Sequence, residues 1–237
     1  MDAHVQIARN RRFTLKSALL IYGDDASAFA TIHNVRSDPD GAPYLSPGRP
    51  LTNAFLRKLA KGLGTELLPE FLPKCVLARS RDLIVWWTEA KYRLMFFGGS
   101  EEKVSDLNGH TYPHPPLVFK VCGRELFVRA LSRNIRPTPT TRLKTAPYWN
   151  THQNGEVCTG SMPIPVAWTL GSVFAWEEAY FRSEFTHAAG AVRLTKYAGG
   201  FRKLWMDLRD QPKHFPTRTL IDAEETLSEF IEGSEGR

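Results

Sequence analysis

Long apolar stretches are missing from this chain of 237 residues. No uncharged hydrophobic run approaches the roughly 18 residues that cross a bilayer, which excludes a transmembrane helix. The opening MDAHVQIARNRRF lacks the apolar core of a secretory leader, so export by that route is not expected. Cysteine is scarce as well: Cys75, Cys122 and Cys158 make an odd number. That argues against a disulfide framework and for a reducing, cytoplasmic setting. There is no CxxC pair, no RNP-like aromatic motif, no arginine-rich helix, no internal repeat and no low-complexity tract. What remains, 42% hydrophobic and 24% charged, is an ordinary globular composition.

Charge is unevenly placed. Lys and Arg exceed Asp and Glu by 31 to 25, a net +6. Lys120, Arg124, Arg129, Arg133, Arg136, Arg142 and Lys144 cluster together with Glu125 as their one acid. Arg9, Arg11, Arg12 and Lys16 form a second basic group, and Asp222, Glu224, Glu225, Glu229, Glu232 and Glu235 make the end acidic. Such polarity calls for an acidic partner of the basic stretch, nucleic acid among them, or for the chain's own tail folding back over it. Arg124, Arg129, Arg133 and Arg136 are the candidate basic surface. Because the charges alternate with Val121, Leu126, Phe127, Val128 and Leu131, they also read as the solvated side of a sheet.

The patterning predicts one α+β domain. Residues 13–22 and 29–35 read as strands, and Thr52 can cap a helix carrying Phe55, Leu56, Leu59 and Leu63. Residues 83–87 and 92–97 are β-prone around a short polar turn, and 117–122 with 125–131 form a hairpin turning at Gly123. Together these give an antiparallel β-meander of about four strands. Residues 133–150 read as irregular; helices are expected over 166–187, 201–210 and 222–231. The aromatic stripe Trp168, Phe174, Trp176, Phe181 and Phe185 reads most simply as core. The expected organisation is a β extension over 1–50, a core over 51–215 and an acidic tail over 216–237.

One segment carries chemistry: Pro147-Tyr148-Trp149-Asn150-Thr151-His152-Gln153-Asn154-Gly155-Glu156-Val157-Cys158. A cysteine in a polar, glycine-containing stretch after the sheet fits a thiol nucleophile, and a nearby carboxamide can donate to an oxyanion without titrating. The plainer alternatives are a structural thiol at Cys158 and a turn-forming role for Asn150. Cys75 and Cys122 read as small core residues. His110, His114, His152 and Cys158 share no zinc-binding frame, so no metal or other cofactor is expected.

The segment resembles the active-site region of ubiquitin-conjugating enzymes, in which an asparagine precedes the catalytic cysteine at this spacing and the cysteine closes a Gly-x-x-Cys. Tyr148-Trp149 stand where that family has His-Pro. Tyr112-Pro113-His114-Pro115-Pro116 is similar to the family's Tyr-Pro-x-x-Pro-Pro entering its third strand. Within that superfamily the combination resembles the protein B family of plasmid-borne PRTRC cassettes. The resemblance implies a UBC-like fold with Cys158 as thioester-forming nucleophile and Asn150 as oxyanion donor, with His152, Tyr148 and Gly155 in supporting positions. It also implies partners: a ubiquitin-like protein, a ThiF-like activating enzyme and a JAB-type metallopeptidase. A non-catalytic adaptor of the same fold and a basic DNA-binding accessory protein are the competing expectations.

Overall fold

The computed structural model describes residues 4–8, 11–23, 28–62, 71–98, 105–160, 162–165, 169–189, 193–211 and 214–233. Its contacts divide the chain into two compact units, Met1–Pro69 and Glu70–Arg237.

In the first unit β1 (His4–Ala8) and β2 (Arg11–Thr14) form an antiparallel pair. β3 (Ser17–Gly23) lies antiparallel to β4 (Ala28–Ser37), and β4 also pairs β5 (Pro43–Leu45) and β6 (Arg49–Pro50). α1 (Asn53–Gly62) starts where Thr52 accepts the Phe55 N–H on its hydroxyl at 3.2 Å, the cap its sequence predicts.

In the second unit the strands are β7 (Val76–Arg79), β8 (Leu83–Thr88), β9 (Tyr92–Phe97), β10 (His110–Pro113), β11 (Leu117–Cys122), β12 (Glu125–Ala130) and β13 (Arg142–Thr145). They are followed by α2 (Val173–Arg182), β14 (Glu184–Phe185), α3 (Gly200–Leu208), β15 (Asp222–Thr226) and α4 (Leu227–Glu232). The main sheet has six antiparallel strands in the order β15-β13-β12-β11-β8-β7. The architecture is therefore α+β with antiparallel sheets, as expected, but the meander is interrupted. β9 leaves the main sheet and pairs instead with β10 and, in parallel, with β14.

The main sheet is covered on both faces, which the period-2 alternation of its strands explains. Ile84 and Trp86 of β8, Leu117, Phe119 and Val121 of β11, and Leu126, Val128 and Ala130 of β12 enter the larger core. Trp176, Tyr180 and Phe181 of α2 and Leu204, Trp205 and Leu208 of α3 complete that core. At about 1.5–3 kcal/mol for each large side chain withdrawn from water, this cluster is the main source of stability. The intervening residues Val85, Val118, Phe127 and Leu131 meet Leu227 and Phe230 of α4 on the other face.

That second face corrects the expectation of a solvated basic side. Lys120 and Arg129 are only 4% and 2% exposed. The Lys120 ammonium donates to the Phe230 carbonyl at 2.6 Å and sits over the Phe127 and Phe230 rings. Arg129 pairs with Glu225 at 2.6 Å, and Lys144 with Asp222 at 2.7 Å. Hence the acidic end folds back over the basic stretch. Residues 222–226 are an edge strand rather than helix, and only 227–232 are helical.

The long helix expected over 166–187 is also shorter. Ser183 turns extended at φ −73°, ψ 156° and its N–H closes on the Ala179 and Tyr180 carbonyls, ending α2 at Arg182. Phe185 consequently lies on β14, and Phe174 faces solvent while Trp176, Phe181 and Phe185 are core. Trp168 lies outside the described residues.

Candidate active site

Between β13 and α2 the chain makes a small hairpin on the edge of β12. Thr151 bridges Val157, and Phe127 bridges Glu156. Inside the hairpin the His152 N–H donates to the Glu156 carbonyl at 2.8 Å. Two bonds attach it to the sheet: Val128 N–H to the Gly155 carbonyl and Val157 N–H to the Leu126 carbonyl, both 2.8 Å. Arg129 adds a third, donating from Nη1 to the Gln153 carbonyl at 2.9 Å while Glu225 holds its Nε. Gly155 is required at the apex. Its φ is +88°, and a Cβ there would sit 3.1 Å from the Val128 carbonyl and 3.2 Å from the Arg129 guanidinium.

Cys158 is the first residue past this hairpin and is exposed, whereas Cys75 and Cys122 are partly covered. Burial raises the pKa of the Cys122 thiol above its ordinary value. The Cys158 N–H donates to the Asn150 carbonyl at 2.8 Å, so the eight-residue spacing returns the chain to the same place. Asn150 occupies the left-handed region, φ +57°, which asparagine tolerates better than most residues.

The Asn150 side chain is engaged on a third segment. Its Nδ2 donates to the Glu184 carbonyl at 2.8 Å. Its Oδ1 accepts from the Thr186 N–H and the Thr186 hydroxyl, both 3.1 Å, and at 3.4 Å from the His187 N–H. Its backbone N–H donates to the His187 carbonyl at 2.9 Å. The carboxamide therefore pins residues 184–187 against the residue that holds Cys158. An oxyanion would be left the one Nδ2–H that Glu184 does not take.

The remaining candidates are dispersed. Tyr148 is buried in the aromatic core, with its hydroxyl 2.7 Å from His114 Nδ1 and its ring stacked on His114 and Trp205. Burial raises the Tyr148 phenol well above its usual range. Burial also lowers His114 to about 3, the Arg93 guanidinium adding to the effect, so this imidazole is neutral. His152 is exposed on the hairpin. His110 pairs with Asp210 at 2.7 Å. Among the described residues no group of three His, Cys, Asp or Glu side chains converges as metal ligands would.

Of the four basic candidates, Arg124 and Arg133 are exposed, Arg136 donates to the Lys74 and Val76 carbonyls, and Arg129 is interior. Sequence reasoning missed Glu184, Thr186 and His187. The one available signal was the Thr-His pair ending an aromatic helix-prone run, and nothing in it points to Asn150.

Residues 55–223 match prokaryotic E2 family D. The chain belongs to that family. Family D membership makes this protein a relative of ubiquitin-conjugating enzymes, in accord with the α+β architecture. No curated protein and no solved structure matches the chain. For a family D protein, interaction with a ubiquitin-like protein and an activating enzyme is the general expectation.

Proposed function

We propose that this family D protein is a thioester carrier. Cys158 as thiolate attacks the activating enzyme's thioester, taking the C-terminal acyl group of a ubiquitin-like protein and releasing the enzyme's thiol. An amine then attacks the Cys158 thioester, the C–S bond breaks, and an amide forms on the target. The observation that carries this reading is the exposed Cys158 held by its own amide to Asn150 at the sheet edge. Asn150 acts first as a positioning residue, through its bonds to residues 184–187. The residue pattern favours the protein B branch of PRTRC cassettes, and with it a ThiF-type activating enzyme and a JAB-type peptidase as companions.

The test is reconstitution with ATP, a ThiF-type activating enzyme and a ubiquitin-like protein. Wild type should give an adduct lost on reduction, Cys158→Ala none, and Cys158→Ser a reductant-resistant ester. An adduct that persists in Cys158→Ala would refute the assignment. The DNA-binding reading is not favoured, because Lys120, Arg129 and Lys144 already answer the chain's own terminal segment.

A further inference from the structure

β3 is the edge of its sheet. Among the described residues it pairs β4 alone, in a register that runs unbroken from Ser17 opposite Asn34 to Gly23 opposite Ala28. The Val35 N–H donates to the Lys16 carbonyl at 3.0 Å, which continues that ladder and sets its phase. Lys16, Ala18, Leu20 and Tyr22 therefore turn their backbone groups toward β4, and Ser17, Leu19, Ile21 and Gly23 turn theirs outward. Such an outward row is a template for another strand, and edges are ordinarily blunted by a charge, a proline, a bulge or a covering segment. Ser-Ala-Leu-Leu-Ile-Tyr-Gly has no charge and no proline, and no bulge interrupts it.

The side chains of β3 are open on both faces. Leu19 and Ile21 share one face with Ile32 of β4. Leu20 and Tyr22 share the other with Phe29, whose ring stacks on Tyr22 with centroids 4.8 Å apart. Ile32, flanked by β3 and β6, is 7% exposed, whereas Ile21 is 78% and Phe29 64% exposed. Leu19, Leu20 and Tyr22 are each more than a third exposed as well. Their open apolar area, on the order of 500 Å², is near the top of the range for a monomer's largest patch, and with the backbone edge it approaches the roughly 800 Å² each partner gives a standard interface.

We propose that a second copy of this chain pairs with β3, antiparallel about a two-fold axis at Leu20, so that two copies share one continuous sheet. This register uses the whole strand. The outward-facing Ser17 and Leu19 exchange hydrogen bonds with Gly23 and Ile21 of the other copy, and Ile21 and Gly23 with its Leu19 and Ser17. On one face it sets Leu20 against Leu20 and Ala18 against Tyr22; on the other it sets Leu19 against Ile21. Every one of these pairs is apolar, and the small Ala18 leaves room for the Tyr22 ring. The pairing also closes, since each copy spends its β3 edge on the other and leaves none for a third. It does not depend on the chemistry at Cys158.

Sedimentation equilibrium of the full chain across a dilution series should give twice the chain mass. Ile21→Lys puts a charge on the edge where the side chain packs little, and should return the chain mass with an unchanged far-ultraviolet circular dichroism spectrum. Register is tested by cross-linking in a Cys158→Ser background, which removes the exposed native thiol. Leu20→Cys should oxidise to a covalent dimer that reductant separates, because Cα atoms directly opposite at such a pair lie about 4.5 Å apart. Leu19→Cys should not, since its counterpart lies two residues further along, beyond the roughly 7 Å a disulfide can span. A chain that sediments as a monomer, a dimer that Ile21→Lys leaves intact, or equal cross-linking at positions 19 and 20 would each overturn the proposal. Should Ile21→Lys fail to fold, the two cysteine variants still decide it.

Discussion

Asn150 and Gly155 are the residues on which the cysteine's position depends. Both have positive φ, and each is chosen for a different reason: Asn150 for three side-chain partners on residues 184–187, Gly155 for the space Arg129 leaves it. Gly155→Ala should cost about 1–3 kcal/mol, because a Cβ meets both a left-handed backbone and fixed neighbours. Urea unfolding of the variant checks this, and the loss should exceed that of Gly123→Ala, where a Cβ meets nothing within 4 Å. That the chain returns to Asn150 at Cys158 was legible because the spacing is short, but the contact is the Cys158 N–H on the Asn150 carbonyl, and the carboxamide is taken up by residues 184–187. The Thr186–His187 partnership was not, since it depends on where α2 stops, and the aromatic pattern running through Phe181 and Phe185 concealed the break at Ser183.

Among the elements, β8, β11 and β12 were readable from period-2 apolar residues and the Gly123 turn, and their observed bounds differ by at most one residue from those expected. β15 was not readable. Asp-Ala-Glu-Glu-Thr has poor strand propensity and is held by cross-strand cations, Lys144 and Arg142 on Asp222 and Arg129 on Glu225. The loop before β11 carries a further consequence. His114 is neutral in the fold, with its pKa lowered from 6.5 to about 3, so the unfolded chain binds one more proton between those values. Its contribution to stability is complete above pH 6.5 and is lost as pH falls toward 3. Denaturation midpoints should show wild type losing about 3 kcal/mol more than His114→Gln between pH 6.5 and pH 4. Parallel pH profiles for the two proteins would contradict the burial argument.

For the whole molecule, the charge asymmetry of the sequence resolves into an internal match, with the acidic terminal segment covering the basic face of the main sheet. A chain ending at Ile221 would leave Lys120 without the Phe230 carbonyl and Arg129 without Glu225. It would also strip Leu227 and Phe230 from Val85, Val118, Phe127 and Leu131, and with that apolar face open to water the truncation should unfold or become insoluble, as circular dichroism would show. The same segment reaches the site, since Glu225 holds Arg129 and Arg129 holds the Gln153 carbonyl of the cysteine hairpin.

The central claim is that the accessible thiol at the hairpin end is the acyl acceptor. The most direct measurement is peptide-level mass mapping of the native chain after brief exposure to a peptide ending in Gly-Gly, supplied as its mercaptoethanesulfonate thioester. The account predicts one acyl group, on Cys158, removed by hydroxylamine, with Cys75 and Cys122 unmodified. Acylation shared evenly among the three cysteines, or absent from Cys158, would contradict it.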